Sequence, residues 1–189
     1  MLSKLAEVYD GFFGAIERAT EGWFIGLAAR LTFASVLLVY FWNSALTKIG
    51  SGISGIFSPT IGAYAQILPG VAESYSYNID TIPFLPYGLI VYLGTYTEFI
   101  LPALIVVGLL TRLSALGMVM FIAVMTYVDI NFLGADAKTI GGFLDRNPGS
   151  LIADQRLLWA FLLIVLVVKG PGFISVDALL GRLVGRAGN

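Results

Sequence analysis

The sequence predicts an all-α integral membrane protein, a four-helix transmembrane bundle with amphipathic helices at its N- and C-terminal ends. Three observations carry that prediction. Of 189 residues, 58% are hydrophobic and only 12% are charged, about half the roughly 25% charge of a water-soluble domain, and the mean hydropathy is +0.87. Four apolar runs broken by few charges are long enough for a bilayer core of about 30 Å, which takes about 20 helical residues. Both ends instead carry apolar residues at helical spacing between polar ones.

Residues 1–22 place Leu2, Leu5, Val8, Phe12, Ile16 and Ala19 on one helical stripe, with Lys4, Glu7, Glu17, Arg18 and Glu21 between them. This is an amphipathic helix, lying on the membrane surface or packed on the bundle. Its surplus of acids argues against simple attraction to anionic lipid. Glu7 and Asp10 interrupt the apolar core that a secretory signal needs.

The membrane domain covers 23–169, with spans at about 23–47, 87–110, 113–132 and 151–169. Arg30 is the only charge in the first span and Glu98 the only one in the second. Gly26, Gly94, Gly108 and Gly117 suit close helix contact. Gly170-Pro171-Gly172 breaks the last span. Residues 173–189 then form a second amphipathic helix. Ser175 is its N-cap, Val176, Leu179, Leu180, Leu183 and Val184 its apolar stripe, and Arg182 and Arg186 its opposite face.

Two longer loops remain. In the first, about 48–86, Ser58-Pro59 starts and Pro69-Gly70 stops a short helix. The second, about 133–150, holds Asp136, Lys138, Asp145 and Arg146. With the termini inside, Lys4, Arg18, Arg30, Arg112, Lys169, Arg182 and Arg186 lie on the cytoplasmic side. Lys48, Lys138, Arg146 and Arg156 lie on the other. The positive-inside rule therefore puts both termini in the cytoplasm and both loops outside.

The chain contains no Cys and no His. Disulfides, thiolate sites, His-ligated haem or zinc and histidine acid–base chemistry are excluded. No phosphate loop, glycine fingerprint or nucleophile elbow occurs, the acids match no metal-binding spacing, and a net charge of −1 gives no reason to expect a nucleic-acid partner. Any redox role needs a bound cofactor or a partner that carries the electrons.

Two sets of polar residues stand out. The first is Arg30, Glu98 and Pro102. A carboxylate inside a span rarely faces lipid. Pro102 has no N–H to return to the Glu98 carbonyl, so both polar groups sit at one level. At 1.5 Å per residue, Arg30 lies roughly 12 Å and Glu98 roughly 18 Å from the cytoplasmic face, so Arg30 is the expected partner. The pair reads as a structural ion pair, or as a site for a head group or a proton. The second set lies at the outer helix ends: Trp42 and Lys48 from the first span, Tyr127 and Asp129 from the third, Arg156 and Trp159 from the fourth. It reads as an aromatic belt with helix-end charges, or as a ligand site whose aromatic walls and cations suit a quinone ring or a small anion.

Leu27-Ala28-Ala29-Arg30, Lys48-Ile49-Gly50, Glu98-Phe99-Ile100-Leu101-Pro102-Ala103-Leu104, Gly108-Leu109-Leu110-Thr111-Arg112 and Gly170-Pro171-Gly172 before Ser175-Val176-Asp177 together resemble the DoxX family of small bacterial membrane proteins. The resemblance spans roughly residues 24–182. It implies a four-helix bundle in the bacterial cytoplasmic (inner) membrane and a link to quinone-associated redox complexes. It supplies no catalytic residues; Glu98, Pro102 and Arg112 carry over as motif positions only. The resulting expectation is a membrane subunit that contacts lipid and binds a quinone or small anion, while a protein partner carries the electrons. The rivals are a non-catalytic anchor or assembly subunit, working with a protein partner or as a homo-oligomer, and a small transporter. The last is disfavoured because the two halves show no pair of broken helices.

Overall fold

The computed structural model describes residues 2–183 and 185. Helix α1 (Leu2–Thr20) leads through a turn at Gly22 into the first span, α2 (Phe24–Leu46). A loop follows whose two longest helices are α3 (Ile61–Ile67) and α4 (Pro69–Ser74), flanked by single turns at Gly52–Gly55 and Ile79–Thr81. Three further spans are α5 (Phe84–Val107), α6 (Thr111–Asn131) and α7 (Leu151–Lys169). Helix α8 (Val176–Leu183) completes the described elements. Val184 and Arg186, expected on the last helix, lie outside the described residues.

All four long helices have the length and hydropathy to cross a membrane, and the chain is a multi-pass membrane protein whose outer helix faces contact lipid. They alternate in direction. Each of α2 and α6 packs against both α5 and α7, so the bundle is a closed ring. The ends of the chain gather at one end of the bundle, here the terminal end. The two long loops gather at the other, the loop end.

The register of each helix follows from its sequence. In α2 the buried Phe33, Leu37, Phe41 and Ala45 recur every four residues. Twelve residues of α-helix overshoot three turns by about 120° at 3.6 residues per turn, which would wind this stripe off the bundle axis. A π-turn at Ala34–Leu38 absorbs one residue and keeps the stripe inward. In α5 the buried Val91, Thr95, Glu98, Pro102 and Ile105 alternate by four and three, the seam spacing of two packed helices. Phe33, Leu37, Phe41, Ile105, Met118, Leu163 and Leu166 fill the centre.

The terminal end is closed by a latch. Arg30 is buried, and its guanidinium donates to four backbone carbonyls: Nε to Ile105 (3.1 Å), Nη2 to Val106 (2.6 Å), and Nη1 to Pro171 (3.2 Å) and Ile174 (2.5 Å). Asp177 of α8 accepts from the amides of Leu110 (2.7 Å) and Thr111 (2.9 Å) and from the Thr111 hydroxyl (2.8 Å). It therefore satisfies the free N–H groups at the start of α6 from a distant part of the chain. Gly26 lets the backbone of Gly170 to Gly172 approach; a Cβ there would lie 2.6 Å from the Gly170 carbonyl oxygen. Ser175 caps α8 by accepting from the Ala178 amide at 3.1 Å.

Two local expectations change. The second span ends at Val107 rather than near 110. Gly108 takes the left-handed conformation (φ 75°) and closes the helix, so it is a helix terminator as well as a point of close contact. The short loop helix stops at Ile67, just before Pro69-Gly70, as expected, but Pro69 also opens α4 at the first helical position, where its missing N–H costs nothing. In the second loop, Asp136 caps the turn Ala137–Ile140, and the Thr139 hydroxyl and amide hold its carboxyl below the usual carboxylate range.

Candidate functional site

The loop end encloses a cavity of about 480 Å³, lined by residues from all four spans and from α3. Most of the wall is apolar, including Ile67, Leu93, Phe121, Val124 and Met125. The polar exceptions are Tyr40, Ser44, Lys48, Gln66, Thr97, Glu98, Asp129 and Arg156. Leu93 and Val124 are also exposed on the outer surface of the bundle. The cavity therefore opens between α5 and α6 onto the surface that a bilayer covers.

Two ion pairs stand in this wall, one fully buried and one with its carboxylate half-buried. Lys48 Nζ lies 2.9 Å from Glu98 Oε2, with each side chain only 4% exposed. The ammonium also donates to the Ser44 hydroxyl (2.8 Å) and the Ser44 carbonyl (3.2 Å). Across the cavity Arg156 Nη2 pairs with Asp129 Oδ2, and Nη1 donates to the Thr126 hydroxyl at 2.8 Å. Tyr40 of α2 lines the same wall.

The expected pairing of Arg30 with Glu98 is therefore replaced by Lys48 with Glu98. The reason lies in side-chain direction. A helical side chain leans toward the N-terminus of its own helix. The N-terminus of α2 is at the terminal end, so Arg30 leans there. The N-terminus of α5 is at the loop end, so Glu98 leans the opposite way. Lys48, just past the last turn of α2, leans back into the bundle and meets it. Counting rise per residue locates Cα atoms but misses this divergence.

The outer set divides. Lys48, Asp129 and Arg156 line the cavity. Trp159 is buried behind that wall, with its ring 5.2 Å from Tyr40 and 6.3 Å from Phe41. Tyr127 is exposed and packs on Phe132. Trp42 is exposed too, and its indole donates to the Phe99 carbonyl at 3.2 Å. That carbonyl adjoins the Glu98 carbonyl that Pro102 leaves without a helical donor, so Trp42 braces the proline turn rather than facing a ligand. Pro102 itself is buried inside α5.

Tyr40, Ser44, Thr126 and Gln66 had not been singled out. Ser44 lies one turn before Lys48 and Thr126 one turn before Asp129, so helical spacing from a buried charge was the available signal. Gln66 had none. It arrives because the first loop folds back along α5: Tyr92 donates to the Phe57 carbonyl (3.1 Å), Tyr96 to the Ile56 carbonyl (2.6 Å), and Ile67 packs against Gly94.

A family model described as DoxX matches residues 25–129, more than half of the chain. The chain belongs to the DoxX family. No curated protein and no solved structure matches it. The DoxX match takes in Arg30, Lys48, Glu98 and Asp129. Arg156, which completes the second ion pair, and Asp177, which completes the latch, lie beyond it.

Proposed function

We propose that this DoxX protein is a membrane subunit of a redox complex that binds a quinone in the loop-end cavity, while a protein partner carries the electrons. The observation behind the reading is a cavity that is mostly apolar, opens toward lipid and yet holds two ion pairs, one of them fully buried. Its volume of about 480 Å³ falls within the roughly 300–1,000 Å³ of small-molecule sites. A ring with a lipophilic tail enters such a site from the bilayer, its tail leaving between Leu93 and Val124. A buried ion pair adds little stability over apolar residues of equal volume, so the Lys48–Glu98 pair beside a cavity suits a binding role. The chain itself supplies no Cys or His to hold a metal or haem, which assigns electron transfer to the bound group and the partner.

The reading places the chain in the bacterial cytoplasmic membrane with both termini inside. Among the described residues, with the buried Arg30, Lys48 and Arg156 set aside, the exposed bases Lys4, Arg18, Arg112, Lys169 and Arg182 lie at the terminal end and only Lys138 and Arg146 at the loop end, as cytoplasmic termini require.

A photoreactive azidoquinone in nanodiscs tests the site. It should label α5 and α6, and Val124→Trp, which fills the mouth, should cut labelling about tenfold without loss of folded protein. Absence of labelling in the unaltered protein overturns the quinone reading. A second reading, an anchor or assembly subunit, is favoured by α1, whose Leu5, Val8, Tyr9, Phe12 and Phe13 are all exposed. Copurification of a redox enzyme that survives loss of the cavity but not of α1 supports it.

A further inference from the structure

One charged donor in the cavity wall has hydrogen bonds to spare. Arg156 of α7 lines the cavity, and its side chain is only 4% exposed. A guanidinium carries five N–H groups. Nη1 gives one to the Thr126 hydroxyl at 2.8 Å, and Nη2 gives one to Asp129. Nε is buried and finds no acceptor among the described residues. That leaves three N–H groups uncommitted, Nε and one on each terminal nitrogen. A buried donor without an acceptor costs stability. The Lys48 ammonium differs, because its three N–H groups face three acceptors on Glu98 and Ser44. Of the two cations in the wall, Arg156 alone is held in place, by Thr126 and Asp129 of α6, with donors left over.

We propose that Arg156 anchors the guest of the loop-end cavity by donating to an uncharged acceptor oxygen on its ring, a carbonyl of the quinone. The proposal rests on the quinone reading above and names the residue that orients the ring. Asp129 sets the charge of the acceptor. Its half-buried carboxylate already balances the guanidinium, so an anion arriving at Arg156 meets a like charge beside it and gains no free countercharge. A neutral carbonyl takes the spare N–H groups without that repulsion. The small-anion alternative raised by the sequence is the weaker one for this reason. Tyr40, Thr97 and Gln66 also bring donors to the wall, but a hydrogen bond from a charged donor is about twice as strong as a neutral one. Arg156 therefore outranks them as the anchor. It is given a ligand-binding role, not only the structural role of partner to Asp129.

The test is infrared difference spectroscopy of the full chain in nanodiscs, loaded with a decyl benzoquinone carrying carbon-13 at one carbonyl or the other. A carbonyl that accepts from a guanidinium stretches at lower frequency. One labelled position should therefore shift down much further than the other, relative to the same quinone in empty nanodiscs. Arg156→Lys keeps a cation beside Asp129 but replaces the planar fork with a point charge. It should abolish the large shift and weaken quinone binding about tenfold, the size of one hydrogen bond to a charged group. Tyr40→Phe, Thr97→Val and Gln66→Leu each remove a rival donor and should leave the large shift in place. These three keep the test decisive where Arg156→Lys fails to fold, because loss of the shift in any of them overturns the assignment to Arg156. Bound quinone with two equal carbonyls, or a large shift that survives Arg156→Lys, overturns the anchor while leaving the quinone site standing. Thiosulfate displacing the quinone overturns it in favour of an anion site. Failure of the quinone to bind overturns both proposals.

Discussion

At the terminal end one guanidinium is held by four backbone carbonyls. At the loop end two cations are held by two carboxylates around a cavity of about 480 Å³. Both arrangements bury charge, but they leave different things behind. Carbonyls are fixed to the helix ends, so Arg30 cross-links α2, α5 and the segment before α8. Carboxylates are on side chains and keep spare acceptor capacity beside the cavity, as the proposed binding role needs. The segments around Arg30, Gly108 and Gly170 thus build a latch, whereas Lys48, Glu98, Asp129 and Arg156 line a cavity.

The largest effect should come from breaking the latch. Arg30→Gln leaves buried carbonyls without a donor, and each hydrogen bond to a charged group contributes about 1.5–3 kcal/mol. A loss of about 3 kcal/mol or more is expected in reversible unfolding in mixed micelles. Stability equal to the parent protein would remove the distinction between the two ends.

Next comes Lys48→Met, expected to cost about 3 kcal/mol because Glu98 is left buried and unpaired. Adding Glu98→Gln should restore much of that loss. No second side-chain change can do the same for Arg30, because its partners are backbone. A double variant no more stable than Lys48→Met would show that the loop-end pair does not behave as a replaceable side-chain pair.

The smallest effects separate the ends by packing. Gly26→Ala should cost about 1–3 kcal/mol, since its Cβ meets backbone that cannot yield. Gly94→Ala should cost less than about 1 kcal/mol, because the neighbour there is the end of the Ile67 side chain at 3.0 Å. Thermal unfolding of both variants checks the order, and a reversed order would place the looser packing at the terminal end.

Much of this was legible in the sequence for simple reasons. A bilayer demands long apolar helices, so four of them show as four hydropathy peaks. A single charge in such a run is costly, so Arg30 and Glu98 announce themselves. Their partners do not, because a one-dimensional count of rise ignores the direction in which helical side chains lean. The aromatic residues Trp42, Tyr127 and Trp159 share one depth with Lys48 and Arg156, but depth does not say which face a residue is on. The π-turn of α2 rotates the face after Ala34, and no residue in Ala34–Leu38 marks it.

The sequence by itself determined that this is a multi-pass α-helical membrane protein of the DoxX type, because helix length, hydropathy and motif order are local properties of the chain. Only the tertiary structure decided that Arg30 binds carbonyls, that Lys48 takes Glu98, and that the first loop folds back to bring Gln66 and Ile67 to the cavity. Those outcomes depend on which helices are neighbours and which way each side chain points, and both are settled only when the ring of helices closes.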